Sequence, residues 1–229
     1  MSEISAGLGY KAYLGFVQLA VFMGLAVFLP AWSIRFWQAW VYLITFLGAT
    51  LIITAYFLKA SPELIARRVN AGPAAETEKS QKVIQTFASL FFTGIISVPG
   101  LDHRFGWSHV PLYLVVAGDV CVAAGFYLVF LVFKENSYTS AVIETAREQT
   151  VVSTGPYSAV RHPMYSGALL MLFATPLALG SFRGSLFFPP MLVALAWRLL
   201  AEEKFLAASL PGYAEYCQKV RYRLVPLIW

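Results

Sequence analysis

Arg161 and His162 stand at the mouth of an apolar run that begins Pro163-Met164-Tyr165-Ser166-Gly167, and Arg198 leads Glu202-Glu203 at the end of the next such run. Ionisable groups at such places are costly near lipid unless they pair or bind something. Arg198 and Glu202 are four residues apart, so on a continuous helix they face the same way about one turn from each other. Mutual neutralisation is one outcome of that spacing. It leaves Glu203, Arg161 and His162 without an explanation.

Ionisable groups converging at one membrane face suit a zwitterionic ligand: arginine or histidine for a carboxylate, glutamate for an ammonium and for hydroxyls. Tyr157 and Tyr165 can wall a flat ring. S-adenosylmethionine carries all of these features. Methyl transfer by direct displacement mainly needs two aligned reactants and little water. In such a site the cofactor enters from the cytoplasm, an apolar acceptor arrives from the bilayer, and Arg198 holds an acceptor carboxylate near the methyl.

The elements that must position these residues are membrane helices. Hydrophobic residues make up 59% of the 229 and charged ones 13%, with a mean hydropathy of +0.65, which is far from a soluble domain. An all-α, multi-pass bundle follows. At roughly 20 residues per span, six runs read as spans: Tyr13 to Leu29, Trp37 to Leu58, Val83 to Val98, Val110 to Phe133, Met164 to Leu179 and Leu186 to Leu200. The third and sixth are near the short limit. The first ends in Leu29-Pro30-Ala31-Trp32 rather than a small-residue cleavage site, so it is expected to stay in the mature protein.

Fourteen of the 17 lysines and arginines fall on one side of these spans, leaving Arg35, Arg104 and Arg183 on the other. The positive-inside rule then puts both termini in the cytoplasm. The net charge of +5 is a topology signal spread over several loops, which argues against nucleic acid as a partner. Cys121 and Cys217 offer neither a disulfide framework nor metal spacing. His103, His109 and His162 make no ligand set either, so no metal is expected.

Along the chain, Gly15, Gly24 and Gly48 suit close helix approach. Ser61 caps and Pro62 opens a short amphipathic helix that stops at Asn70-Ala71-Gly72-Pro73, with Arg67 and Arg68 placed for anionic headgroups. Asp119, inside the fourth run, is expected to be hydrogen-bonded across helices or protonated. Lys134 to Val160 reads as a cytoplasmic loop whose Gly155-Pro156 turn presses Tyr157 toward the membrane. Pro211-Gly212 ends the last span. A second amphipathic helix then follows, with Tyr213, Tyr216, Cys217 and Val220 on one face.

Gly155-Pro156-Tyr157, the Arg161 to Gly167 stretch, Arg198 with Glu202-Glu203, then Gly212-Tyr213 and Tyr216 together resemble the isoprenylcysteine carboxyl methyltransferase and phospholipid methyltransferase superfamily, over Asn136 to Trp229. The resemblance implies an integral-membrane S-adenosylmethionine-dependent methyltransferase. One membrane domain, 1–229, would consist of N-terminal spans (1–133) and a cofactor-binding, catalytic part (134–229) whose C-terminal amphipathic helices help form the pocket. Gln149, Thr150, Val151, Val152, Tyr157, His162, Pro163, Met164, Tyr165 and Glu202 would contact the cofactor, with Asn136 a further nomination. Arg198 would face the acceptor, with Arg161 and Glu203 beside it as catalytic groups.

The acceptor would be lipophilic, a prenylated thioether carboxylate first and a phospholipid amine second. The soluble methyltransferases' glycine-rich strand-to-helix motif is absent, in keeping with a different site. Arg221-Tyr222-Arg223 before Pro226 departs from the eukaryotic prenylcysteine enzymes. An NADPH-dependent sterol-type reductase is an alternative, with Arg147, Arg221 and Arg223 available for a 2′-phosphate. A transporter using Asp119 as a coupling group is another, though the paired broken spans of many transporters are not found.

Overall fold

The computed structural model describes residues 2–69, 71–76, 78–144 and 149–229, with side chains from Gly7 onward. The described residues form eight α-helices: α1 (Ser2–Ala31), α2 (Trp37–Ala60), α3 (Pro62–Arg68), α4 (Lys79–Phe105), α5 (Leu112–Glu135), α6 (Pro163–Ala178), α7 (Phe188–Ser209) and α8 (Tyr213–Lys219). Single 3-10 turns at Gly155–Ser158 and Gly184–Phe187 precede α6 and α7. The all-helical, multi-pass expectation holds.

Among the described residues, five helices are long and apolar enough to cross a membrane: α1, α2, α4, α5 and α7 with the turn before it. Their outward faces keep the apolar character that lipid demands, as at Val21, Leu25, Ile44, Ile52, Val116 and Val120, all exposed,. The two runs marked as short lengthen, because α4 gains polar turns at both ends and spans 27 residues. The short helix is α6, whose 16 residues rise about 24 Å against a hydrocarbon core of about 30 Å.

Shelter against α5 suits α6 to that length. A Cβ on Gly125 would lie 2.7 Å from the Gly167 carbonyl oxygen, and one on Gly118 would lie 2.6 Å from the Ala178 backbone nitrogen. Rising numbers on α5 meet falling numbers on α6, so the two are antiparallel with backbones in near contact. Small residues permit that approach. Around Gly15, Gly24 and Gly48, by contrast, nothing lies within 4 Å, so the expected glycine contacts are corrected to Gly94, Gly100, Gly118, Gly125 and Gly167.

Phe22 stacks on Phe92 and Gly100 abuts Val27, making α1 parallel to α4. Phe46 with Phe126 and Phe57 with Phe133 make α2 parallel to α5. Phe187 fills the space at Gly94 while Arg198 reaches Gln81, so α7 runs antiparallel to α4. The beginnings of α1, α4 and α6 and the ends of α2, α5 and α7 therefore share one face. At the opposite face Arg104 lies over Trp32 and Arg183 over Trp107, an aromatic and cationic belt typical of an interface.

Polar groups inside the bundle are mostly paired. Asp102, 2% exposed, accepts from the Ser108 backbone and hydroxyl at 2.6 Å each and from Ser181 Oγ at 2.5 Å, tying two far-side connections together. Tyr42 and Thr175 hydrogen-bond between α2 and α6. Of the cross-helix bond or protonation expected of Asp119, the bond is not seen at one oxygen: Oδ1 is buried without a hydrogen-bond partner among the described residues.

Candidate active site

Pro163 opens α6 as its fixed φ and missing donor favour, which leaves His162 at the N-cap and points the first turn at α7. On α7, residues 198, 202 and 203 project from the same end. The tail closes over both: Arg161 and His162 backbone amides donate to the Tyr222 and Arg223 carbonyls at 2.9 Å, and Ser166 Oγ donates to the Leu224 carbonyl at 2.6 Å. Gly212 at φ +83° turns the chain into α8, burying Tyr213 and Tyr216.

These elements enclose a cavity of about 360 Å³, within the range of small-molecule sites. Gln149, Thr150, Val151, Val152, Tyr157, Arg161, His162, Pro163, Met164, Tyr165, Arg198 and Glu202 all line it. Asn136, Tyr213 and Tyr216 line it too. Glu203 is not in the lining.

Glu203 instead gathers Arg161, His162 and Arg223 behind the wall. Its Oε1 is 3.2 Å from Arg161 Nε and 3.3 Å from His162 Nε2, and its Oε2 accepts from Arg223 Nε at 2.9 Å. Glu202 takes a different partner, accepting from Tyr165 Oη at 2.7 Å. Arg198 turns away from the i+4 pairing: Nη1 is 2.7 Å from Glu76 Oε1 and donates to Gln81 Oε1 at 3.2 Å, while Nη2 donates to the Ala141 carbonyl at 3.0 Å. The spacing on α7 alone could not distinguish these outcomes.

Tyr157 is fixed from two sides. Asn136 Nδ2 donates to its phenolic oxygen at 3.0 Å, and Tyr216 Oη donates to its carbonyl at 2.8 Å. Burial raises the Tyr157 pKa, only partly offset by the Asn136 bond, so the ring stays a neutral phenol. Tyr213 Oη is buried without a hydrogen-bond partner among the described residues, although its ring lines the cavity. An orphaned hydroxyl at a cavity wall is a ready hydrogen-bonding group for a polar ligand.

Arg68 was placed on the lipid surface by the sequence, and the structure puts it in the cavity wall. Its Nη1 donates to the Ser140 carbonyl at 3.4 Å and toward Met164 Sδ at 3.5 Å, and its guanidinium lies over Phe133. Burial pulls its pKa down to about 10, which leaves it charged at neutral pH. Arg67 donates to the Ser137 carbonyl. Both arginines thus pin the segment after α5 instead of facing lipid. Ser61 occupies the N-cap of α3 but makes no side-chain capping bond, and Asn70 and Arg147 lie outside the described residues.

Glu76, Gln81 and Gln85 were missed by the sequence reading. Gln81 and Gln85, one turn apart at the start of an apolar helix, were the available signal. Ile84, Gln85 and Ala88 of α4 join Arg68 and Gly72 in the lining, so the first 133 residues supply a wall that the resemblance assigned to the C-terminal part.

Residues 113–211 match the model of the phospholipid methyltransferase family. That segment is similar to integral-membrane methyltransferases. The matched segment runs from α5 through α7 to the start of the α8 turn, and so contains most of the cavity wall. The match covers less than half of the 229 residues. An 83-residue stretch is also 37% identical to the cobalt-zinc-cadmium resistance protein CzcN of Cupriavidus metallidurans, covering 34% of this chain and 36% of that relative. The chain therefore spans about a third of the curated relative it matches.

Proposed function

We propose that this protein is a methyltransferase that uses S-adenosylmethionine, bound in the cavity between α4, α6, α7 and α8, to methylate a lipophilic acceptor. The supporting observation is the convergence of Tyr157, His162, Tyr165, Arg198 and Glu202 on one enclosure. These groups fit the cofactor chemically. Arg161 and His162 suit its carboxylate, Glu202 its ammonium or ribose, and Tyr157 and the backbone of 149–152 its adenine. The orphaned Tyr213 hydroxyl offers one more polar contact.

When bound, the cofactor supplies a sulfonium methyl whose transfer leaves a neutral thioether. The chain's residues have three tasks in that step. Tyr165 holds Glu202 at 2.7 Å, fixing an anionic contact in advance, which is where pre-organisation matters most. Glu203 acts as a positioning residue, locking Arg161 and His162 at the rim. Tyr213 and Tyr216 on α8 cover the enclosure and limit water.

Arg198, reaching the cavity from α7, supports a carboxylate acceptor such as an isoprenylcysteine-like thioether acid. The ion pair already made with Glu76 favours a second reading, a phospholipid amine, because the charge of Arg198 is then already met. An ionised carboxylate needs no base, whereas an ammonium must first lose a proton. The excess of lysine and arginine on that side supports a cytoplasmic position for the cavity end and both termini. Purified protein incubated with methyl-labelled S-adenosylmethionine and either extracted membrane lipids or prenyl-thioether acids tests the reading. Label in a lipid-extractable product supports it; no transfer to any acceptor, with no cofactor binding, ends it.

A further inference from the structure

Arg198 reaches the cavity with its charge already met from behind. Glu76 Oε1 lies 2.7 Å from Arg198 Nη1 and also accepts from Gln85 Nε2 at 2.8 Å. Glu76 is only 4% exposed and is not part of the cavity lining. It comes from the connection between α3 and α4, while Gln81 on α4 and the Ala141 carbonyl after α5 take further guanidinium protons. Three separate segments therefore brace one arginine.

A buried carboxylate with little water around it depends on its partner, and the partner's unit charge is cancelled in turn. From inside the cavity the pair acts as a dipole, whose pull on an anion weakens with distance faster than a lone charge does. The wall still presents hydrogen-bond donors. At Arg198 it offers an acid no uncompensated charge; Arg68, also in the lining, lies over Phe133 and beside Met164.

We infer that Glu76 is a specificity-determining residue of the acceptor site, setting Arg198 to recognise a neutral or zwitterionic polar end on a lipophile in preference to an anionic one. This rests on the reading of the cavity as the place of methyl transfer. It also decides between the two acceptor classes: Glu76 lowers the attraction for a prenyl-thioether acid relative to an uncharged or zwitterionic headgroup. Removing the carboxylate charge while keeping its shape should reverse that preference.

The test uses two matched probes, a farnesyl-thioether acid and its primary amide, titrated into the purified full-length protein in lipid nanodiscs. Glu76→Gln keeps an oxygen for Arg198 and Gln85 while removing the charge, and Glu76→Asp keeps the charge as a folding and charge control. The acid and amide dissociation constants should agree within about threefold in the wild type and in Glu76→Asp, while Glu76→Gln should favour the acid by about tenfold, the effect of one modest charge interaction. That gain should vanish in Glu76→Gln combined with Arg198→Gln. An acid-to-amide ratio unchanged by Glu76→Gln, or a wild type that already prefers the acid by about tenfold, overturns the inference. Where neither probe binds the wild type, new acid binding in Glu76→Gln supports it and continued silence refutes it. Failure of the methyltransferase reading shows separately, as absent S-adenosylmethionine binding in the wild type.

Discussion

Tyr165 donates its phenolic proton to Glu202 across 2.7 Å, joining the first turn of α6 to the last turns of α7. The tyrosine is 7% exposed, so the bond is shielded from water and stronger than its surface counterpart. Tyr165→Phe removes the donor and keeps the ring. A lost hydrogen bond to a charged group costs about 1.5–3 kcal/mol, so affinity for S-adenosylmethionine should fall by roughly tenfold or more in a calorimetric titration, with the helical content unchanged. Unaltered affinity would remove Glu202 from the cofactor site.

Glu203 is the hub for three side chains from two segments, Arg161 and His162 before α6 and Arg223 in the tail. Glu203→Gln leaves Arg161 and Arg223 facing one another where the Glu203 side chain is 12% exposed. Breaking a buried pair costs about 3–5 kcal/mol, and the partial exposure of Arg223 moderates this to about 2–3 kcal/mol. A lower thermal midpoint in nanodiscs and faster proteolysis of the segment after α8 should both follow. If the midpoint drops while the tail stays protected, Glu203 does not hold the tail.

The contact of α5 with α6 leaves no room for a methyl group. At Gly125 a Cβ would meet Met171 Cγ at 2.4 Å and the Gly167 oxygen at 2.7 Å. Overpacking of this kind costs about 1–3 kcal/mol, so Gly125→Ala should lower the thermal midpoint. Gly24→Ala, with nothing within 4 Å, should leave it unchanged or slightly raised through helix propensity. Equal effects at the two sites would contradict the packing described.

Arg68 holds the segment after α5 through the Ser140 carbonyl and lies over Phe133 at 4.6 Å. Arg68→Ala should free residues 137–144 for limited proteolysis and weaken cofactor binding, because Met164 and Tyr157 lose the neighbour that packs their side of the cavity. Arg68→Lys should rescue only part, since lysine lacks the planar fork. Wild-type protection in Arg68→Ala would return Arg68 to a surface role.

The legible parts of the site were those whose residues stand together in the chain. His162 to Tyr165 fall at a proline-marked helix start, and Glu202 ends an apolar run, so both announce themselves as charged or polar groups at membrane boundaries. Glu76 does not. Its partner is 122 residues away, and a lone glutamate in a polar connection carries no spacing that points to Arg198. Arg68 misled for a related reason: an arginine on a short amphipathic helix reads as lipid-facing until the segment after α5 folds over it. The helices themselves were evident from apolar length. The glycines failed as packing signals because three isolated glycines say nothing of which face meets a neighbour, whereas Gly118 and Gly125 on α5 share a face one heptad apart. The 27-residue length of α4 was hidden by Gln81, Gln85 and Asp102, polar residues that turn inward to a cavity or a hydrogen-bonded cluster rather than ending the helix.

Calorimetric titration of S-adenosylmethionine into the purified protein, beside His162→Ala and Glu202→Ala, most directly tests whether the cavity at the ends of α6 and α7 is a methyl-donor site. Saturable one-site binding in the wild type, weakened at least tenfold in each variant, is the expected result. Absence of binding in the folded wild type, or equal affinity in all three proteins, would contradict it.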